Sequence, residues 1–348
     1  MKNIPIHFEA CASVGEKLWI SEKNYNALYK MNIKNGNIKY CGEFPNENPL
    51  KKRLHYGNAI EIDSKLYFVP LESSYIHIYD IKSDEFSSVK IADKAAGFSA
   101  GFNYENSCIY FISTRNTNIT KYNIKDNTIE NAYLGDTSEK IGYAHGSVSY
   151  KENLYMIPKY TCVLKVFDMK NMKMSECNLA NLGESIEIIG IEDYLMFLIN
   201  TQTKKVYVFN IESKSVSEKN IVYNYSLNSW HNNEIIVANN YNEDIVNIYN
   251  MRDDCIIPIM VENKKMDVDP FIISTAFTYK NDILFVNKQD NSIYSSVYGC
   301  KKYDLCINEK EIDNIKEKMS KSKIDIHQGI MREQRVFGIK GFIDNIVG

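Results

Sequence analysis

A short apolar run followed about thirteen residues later by an aromatic-Asp/Asn-aliphatic triplet recurs along almost the whole chain, and no other feature restricts the fold as strongly. The runs are LWI at Leu18, LYF at Leu66, IYF at Ile109, LYM at Leu154, LMF at Leu195, IIV at Ile235 and ILF at Ile283, with steps of 48, 43, 45, 41, 40 and 48 residues. The triplets keep the same phase: MNI at Met31, YDI at Tyr79, YNI at Tyr122, FDM at Phe167, FNI at Phe209 and YNM at Tyr249. Around each pair, apolar and aromatic residues alternate over stretches of four to eight, bounded by Asn, Asp, Ser, Gly and Lys, which is the pattern of short strands and tight turns. In the second unit the strands are predicted at about 56–62, 65–70, 75–82 and 85–91. The turns between the third and fourth strands carry Asn, Asp or Gly, residues that accept the positive φ of a tight hairpin. The Asp or Asn of each triplet is suited to bonding nearby backbone amides.

A period of 40 to 48 residues with four strands per unit is that of a β-propeller, whose sheets bury both faces against their neighbours. The expected fold is therefore all-β: a seven-bladed propeller of four-stranded antiparallel blades over residues 1–307, the seventh blade the least regular. From Asn308 the pattern changes. Asn308 with Glu311 forms a capping box, and Ile312, Ile315 and Met319 share one helical face. A C-terminal helix and tail over 308–348 is expected to pack on the propeller and to lend a strand across its closure.

The LYF and YDI runs make the chain resemble the broad superfamily of Kelch-like and bacterial repeat propellers over roughly residues 5–307. The glycine pair of Kelch repeats and the GH and WD dipeptides of WD repeats are absent, so the resemblance implies a fold and carries over no active-site residue.

A net charge of -3 and a pI near 6.1 exclude a general attraction to nucleic acid or anionic membrane. His7 and Glu9 interrupt the N-terminal stretch where a signal peptide needs an apolar core, and no run approaches a membrane span, so a cytoplasmic protein is expected. The eight cysteines show no ligand spacing and read as free thiols; no cofactor or metal is expected. No nucleotide-binding loop, nucleophile elbow or HExxH helix occurs.

In propellers, ligands usually meet the mouth of the central channel, where the crossovers entering each inner strand gather with the loops after the second strand. Eleven residues before each apolar run stand His7, His55, Phe98, Tyr143, Glu184, Asn224 and Ile272, and nine before it Glu9, Gly57, Ala100, His145, Ile186, Ser226 and Ser274. Side chains two apart share a strand face, so His7, Glu9, His55 and His145 are expected together at the mouth. Three uses fit them: acid-base chemistry or metal binding with Glu9 as carboxylate partner, or a polar lining of a water-filled channel, the metal reading lacking any compact ligand spacing. Lys23, Arg115, Lys159 and the run Lys51, Lys52, Arg53 are expected on the same face, pointing to an anionic ligand. Tyr25, Tyr56, Tyr160 and Tyr241 are loop aromatics able to stack on one. Two functions follow: a recognition module binding a protein, peptide or anionic small molecule, or a lyase, isomerase or hydrolase acting on an anionic substrate through the His/Glu cluster.

Overall fold

The computed structural model describes residues 4–98, 101–135 and 141–222, and beyond them the strands lying between 229 and 307. Seven sheets follow one another along the described residues, six of them four-stranded and antiparallel and the first extended to five strands by a parallel pairing at its inner edge. The innermost strands are Phe8–Val14, Ile60–Ile62, Gly101–Glu105, Val148–Tyr150, Ile186–Glu192, Ser229–His231 and Ile273–Tyr279. The first of these lies beside both the second and the seventh, which closes the ring.

In blade 2 the outer strands fall at Lys65–Phe68, Tyr75–Asp80 and Glu85–Lys90, as the repeat predicts. Its first strand differs. The predicted 56–62 segment divides into Gly57–Asn58, which pairs in parallel with the inner strand of blade 1, and Ile60–Ile62, which pairs within blade 2. The hairpin turns use the expected backbone: Gly36, Asp84 and Asn127 have φ of 76, 57 and 55°. The triplet residues act as Asx caps, with Asp80 Oδ1 accepting from the amides of Lys82 (2.9 Å) and Ser83 (3.2 Å). Asn32, Asn123, Asp168 and Asn210 accept in the same way.

The apolar runs form seams between blades. Trp19, Leu28, Phe44, Leu66, Phe68 and Tyr79 join blades 1 and 2, and Tyr67, Ile76, Ile109, Phe111 and Tyr122 join blades 2 and 3. The ends of the propeller are tied by a latch in which Ile4 and Pro5 pair antiparallel with Ile307 and Cys306. Ile307 and Ile293 join Ile6 in the core of blade 1. The last blade's fourth strand is Lys302–Asp304, and Cys306–Ile307, just beyond it, is given to the latch. The C-terminal helix and tail expected over 308–348 lie outside the described residues. Among the described residues no helix is long and apolar enough to cross a membrane.

Candidate functional site

Each crossover enters its inner strand past the loop that follows the second strand. In blades 2 and 4 the entry is an isolated antiparallel bridge, His55 to Pro70 and Tyr143 to Pro158. In blades 2 to 4 the residue eleven before the apolar run enters the seam between blades: His55, Phe98 and Tyr143 are 0%, 5% and 1% exposed, whereas His7 in blade 1 is half-buried and Glu184 in blade 5 is exposed. Residues one or two further on reach the mouth. The four residues expected to share a face are consequently divided among separate environments.

His55 is in the interior, not at the channel mouth. Its Nδ1 lies 2.7 Å from Ser21 Oγ and its Nε2 2.7 Å from Nδ1 of His77, whose Nε2 is 3.0 Å from the carbonyl oxygen of Pro45. A carbonyl only accepts, so His77 Nε2 carries a hydrogen and its Nδ1 accepts from His55 Nε2–H; His55 Nδ1 then accepts from the Ser21 hydroxyl. Phe44 and Phe68 enclose the His55 ring at 4.4 and 5.1 Å. Burial holds His55 well below the usual imidazole range, with His77 adding to it, and burial lowers His77 to about 4 against a smaller opposing pull from Glu47.

His7 is half-buried, with Nδ1 3.3 Å from Glu22 Oε1. The Glu22 carboxylate is buried and accepts from the amides of His7 (2.9 Å), Asn24 and Tyr25 (3.1 Å). Glu9 is the extra residue of a β-bulge, between Phe8 paired with Glu22 and Ala10 paired with Ser21. Its Oε1 meets Arg53 Nε at 3.0 Å.

The mouth itself is built around Tyr56 and His145. Their rings stack with centroids 5.8 Å apart, and Tyr56 Oη lies 3.4 Å from His145 Nδ1. Glu187, on the inner strand of blade 5, faces the pair. Burial raises its pKa above the usual carboxylate range, opposed by His145, Lys204 and Lys159, while burial raises Tyr56, with Glu187 and Glu9 adding to it. Gly146, at φ +86°, brings His145 to that strand: a Cβ there would lie 1.8 Å from the carbonyl oxygen of Ile188. Only glycine permits this approach. The site thus assembles a phenol, an imidazole and two carboxylates from four blades.

The predicted cations are mostly committed. Arg115 donates to Glu72 Oε1 (2.7 Å) and to the carbonyl of Ala95 (3.1 Å), tying blade 3 to blade 2. Lys159 Nζ donates to the carbonyl of Thr114 at 3.0 Å while remaining within electrostatic reach of Glu187. Lys23 contributes backbone, its amide to His7 O and its carbonyl to Arg53 N–H. Tyr160 is 68% exposed with φ of 61°, an aromatic held outward on a left-handed turn. Tyr25, expected in a loop able to stack on a ligand, is buried with its hydroxyl 2.6 Å from that of Tyr29. Tyr241 lies outside the described residues. Among the described residues no three His, Cys, Asp or Glu side chains form a metal-holding group.

Glu187, His77 and Ser21 escape a fixed count back from the apolar run. In blade 5 a bulge inserts Ile189 between Ile188, paired with Leu198, and Gly190, paired with Phe197. That shifts the facing of everything before it by one residue, so the mouth position falls on Glu187 and not on Ile186.

No protein-family model matches the chain, and no curated protein matches it in sequence. Solved structures do match in fold. Virginiamycin B lyase from Staphylococcus aureus is 12% identical with a TM-score of 0.61, covering 84% of this chain and 97% of that one. A streptogramin B lyase is 14% identical with a TM-score of 0.60, covering 82% and 94%. A chain in the mitotic checkpoint complex is 11% identical with a TM-score of 0.56, covering 85% and 86%. The chain is a β-propeller. At these identities the likeness extends to the fold alone.

Proposed function

We propose that the protein is a recognition propeller whose channel mouth binds a small polar ligand or the tip of a peptide. The observation that carries this reading is the convergence of Tyr56, His145, Glu187 and the Glu9–Arg53 pair from separate blades to within stacking or electrostatic reach of one another. An acidic ligand finds Lys159 and Lys204 on the Glu187 side, and a proton taken up by Glu187 would relieve the repulsion. The stacked Tyr56 and His145 rings offer a flat face for the rest of the molecule. Among propellers, the LYF and YDI runs are the reason for grouping the chain with Kelch-like and bacterial repeat propellers.

The test is a ligand-observed NMR screen of dicarboxylates, sugar acids and short acidic peptides against the full-length protein. The expected hit loses its signal with His145→Ala and is weakened by Tyr56→Phe. Binding that survives both substitutions would refute the mouth as the site. A second reading, proton-transfer catalysis, is favoured by the order phenol, imidazole, carboxylate across Tyr56, His145 and Glu187, and two of the similar folds are named as lyases. Turnover of a bound acid that disappears in Glu187→Gln would support it; binding with the ligand recovered unchanged would exclude it.

A further inference from the structure

Arg53 and Tyr56, two of the mouth side chains, stand on either side of Leu54 and His55, which are driven into the interior, and His55 is the polar one of the two. Resting on the reading of the mouth as the binding site, we propose that the buried Ser21–His55–His77 relay positions Arg53 and Tyr56 and releases them on acidification.

The relay spans the seam between blades 1 and 2. Ser21 belongs to the second strand of blade 1, His77 to the third strand of blade 2, and Pro45 to the crossover between them. Each of its three gaps holds a single hydrogen. A proton added to His77 Nδ1 would set two N–H groups against each other across 2.7 Å. One such proton is absorbed if His55 changes tautomer and the Ser21 hydroxyl turns to accept. A second has no acceptor, and it would place two imidazolium rings in contact inside the core, an arrangement that burial forbids.

The surroundings offer little compensation. Among the described residues the charges facing the pair come from the crossover: Glu47, which is bound to Lys51 (2.7 Å) and to the hydroxyl of Ser73 (2.6 Å), and Lys51 itself. Tyr75 stacks over His77 at 6.2 Å, and Phe44 and Phe68 flank His55. Glu22, next to Ser21 in the chain, is already held by three amides and His7. Protonation therefore loosens the seam, and the segment that carries Arg53 and Tyr56 loosens with it.

Hydrogen exchange on the full-length protein tests this without any ligand. The reporters are the amides of Tyr56, bonded to Val69 O (3.0 Å), Leu71, bonded to Leu54 O (2.8 Å), and Ala59, bonded to Cys11 O (2.6 Å). After correction for intrinsic exchange, their protection should fall roughly thirty- to a hundredfold between about pH 7 and about pH 4.5. That ratio follows from His77 at about 4 when closed against about 6.5 when opened. Amides of the Val163–Asp168 strand should hold. His77→Gln, which keeps a donor for Pro45 and an acceptor for His55 but takes no charge, should reduce the pH response to the share carried by His55, whereas His77→Phe should lower protection at every pH. Reporters that do not respond to pH in the native protein, or that respond equally in His77→Gln, would overturn the proposal. Because the readout needs no ligand, a mouth that binds nothing would refute only the binding reading.

Discussion

Substituting Gly146 by alanine tests how the mouth is assembled. Two costs combine there. The backbone is at φ +86°, in the region where a Cβ meets its own carbonyl, at about 1–2 kcal/mol. The new methyl would also lie 1.8 Å from Ile188 O and 2.9 Å from Ile188 C. Those are backbone atoms of a paired inner strand and cannot rotate away, so blades 4 and 5 must separate, at about 1–3 kcal/mol for an overpacked contact. Gly57 supplies the control, since it has φ +64° and nothing within 4 Å of its virtual Cβ. Gly57→Ala should show the conformational cost alone, and Gly146→Ala that cost plus about 1–3 kcal/mol. Urea midpoints compared side by side by tryptophan fluorescence and far-ultraviolet circular dichroism measure both, and the two probes check that the ring unfolds as one unit. If Gly146→Ala is no more destabilising than Gly57→Ala, the close approach of His145 to the Glu187 strand is not held by this contact, and the account of the site fails at its base.

Three further outcomes are expected. His77 is near 4 when folded and near 6.5 when unfolded, so the unfolded chain binds the proton first. Its contribution is fully present above about pH 6.5 and is lost as the pH falls toward 4; the difference amounts to about 3 kcal/mol, His55 adds in the same direction, and urea midpoints across that range measure it. Asn26, fully buried, exchanges two 2.8 Å bonds with the backbone of Phe44, so Asn26→Ala should cost about 2–4 kcal/mol by leaving a buried N–H and C=O unpaired; a midpoint shift below about 1 kcal/mol would contradict it. Arg115→Ala should cost only about 0–1 kcal/mol, because both partners of its pair with Glu72 are well exposed, and should leave ligand binding at the mouth unchanged.

The scaffold was legible in the sequence because its determinants are local. A strand, a turn residue with positive φ and an Asx cap are set within four or five residues, and the triplets repeat them in blades 1 to 5. The facing of polar residues was less legible for a reason specific to this architecture. A blade buries both faces, so alternation along a strand does not distinguish core from channel; Ile76, His77, Ile78 and Tyr79 are consecutive and all buried. His77 therefore stood inside the YDI unit with nothing local to mark its partner twenty-two residues upstream. Bulges completed the loss, since Glu9 is itself a bulge residue and Ile189 displaces Glu187 by one.

The same position in successive units shows what the histidine pair does that apolar packing does not. At the entry to blade 3 the seam is plugged by Phe98, its ring 5.2 Å from that of Phe111, with no polar requirement. At the entry to blade 4 it is plugged by Tyr143, whose hydroxyl donates to the carbonyl of Thr117 at 3.1 Å. At the entry to blade 2 the plug is His55, which demands two partners in fixed protonation states. The neighbouring seams show that an aromatic ring of similar size fills this position without them. A buried polar chain of this kind contributes little net stability over a well-packed apolar plug, and it fails when one member changes state. Its distinguishing property is that it titrates, and it does so beneath the segment that carries Arg53 and Tyr56 to the channel mouth.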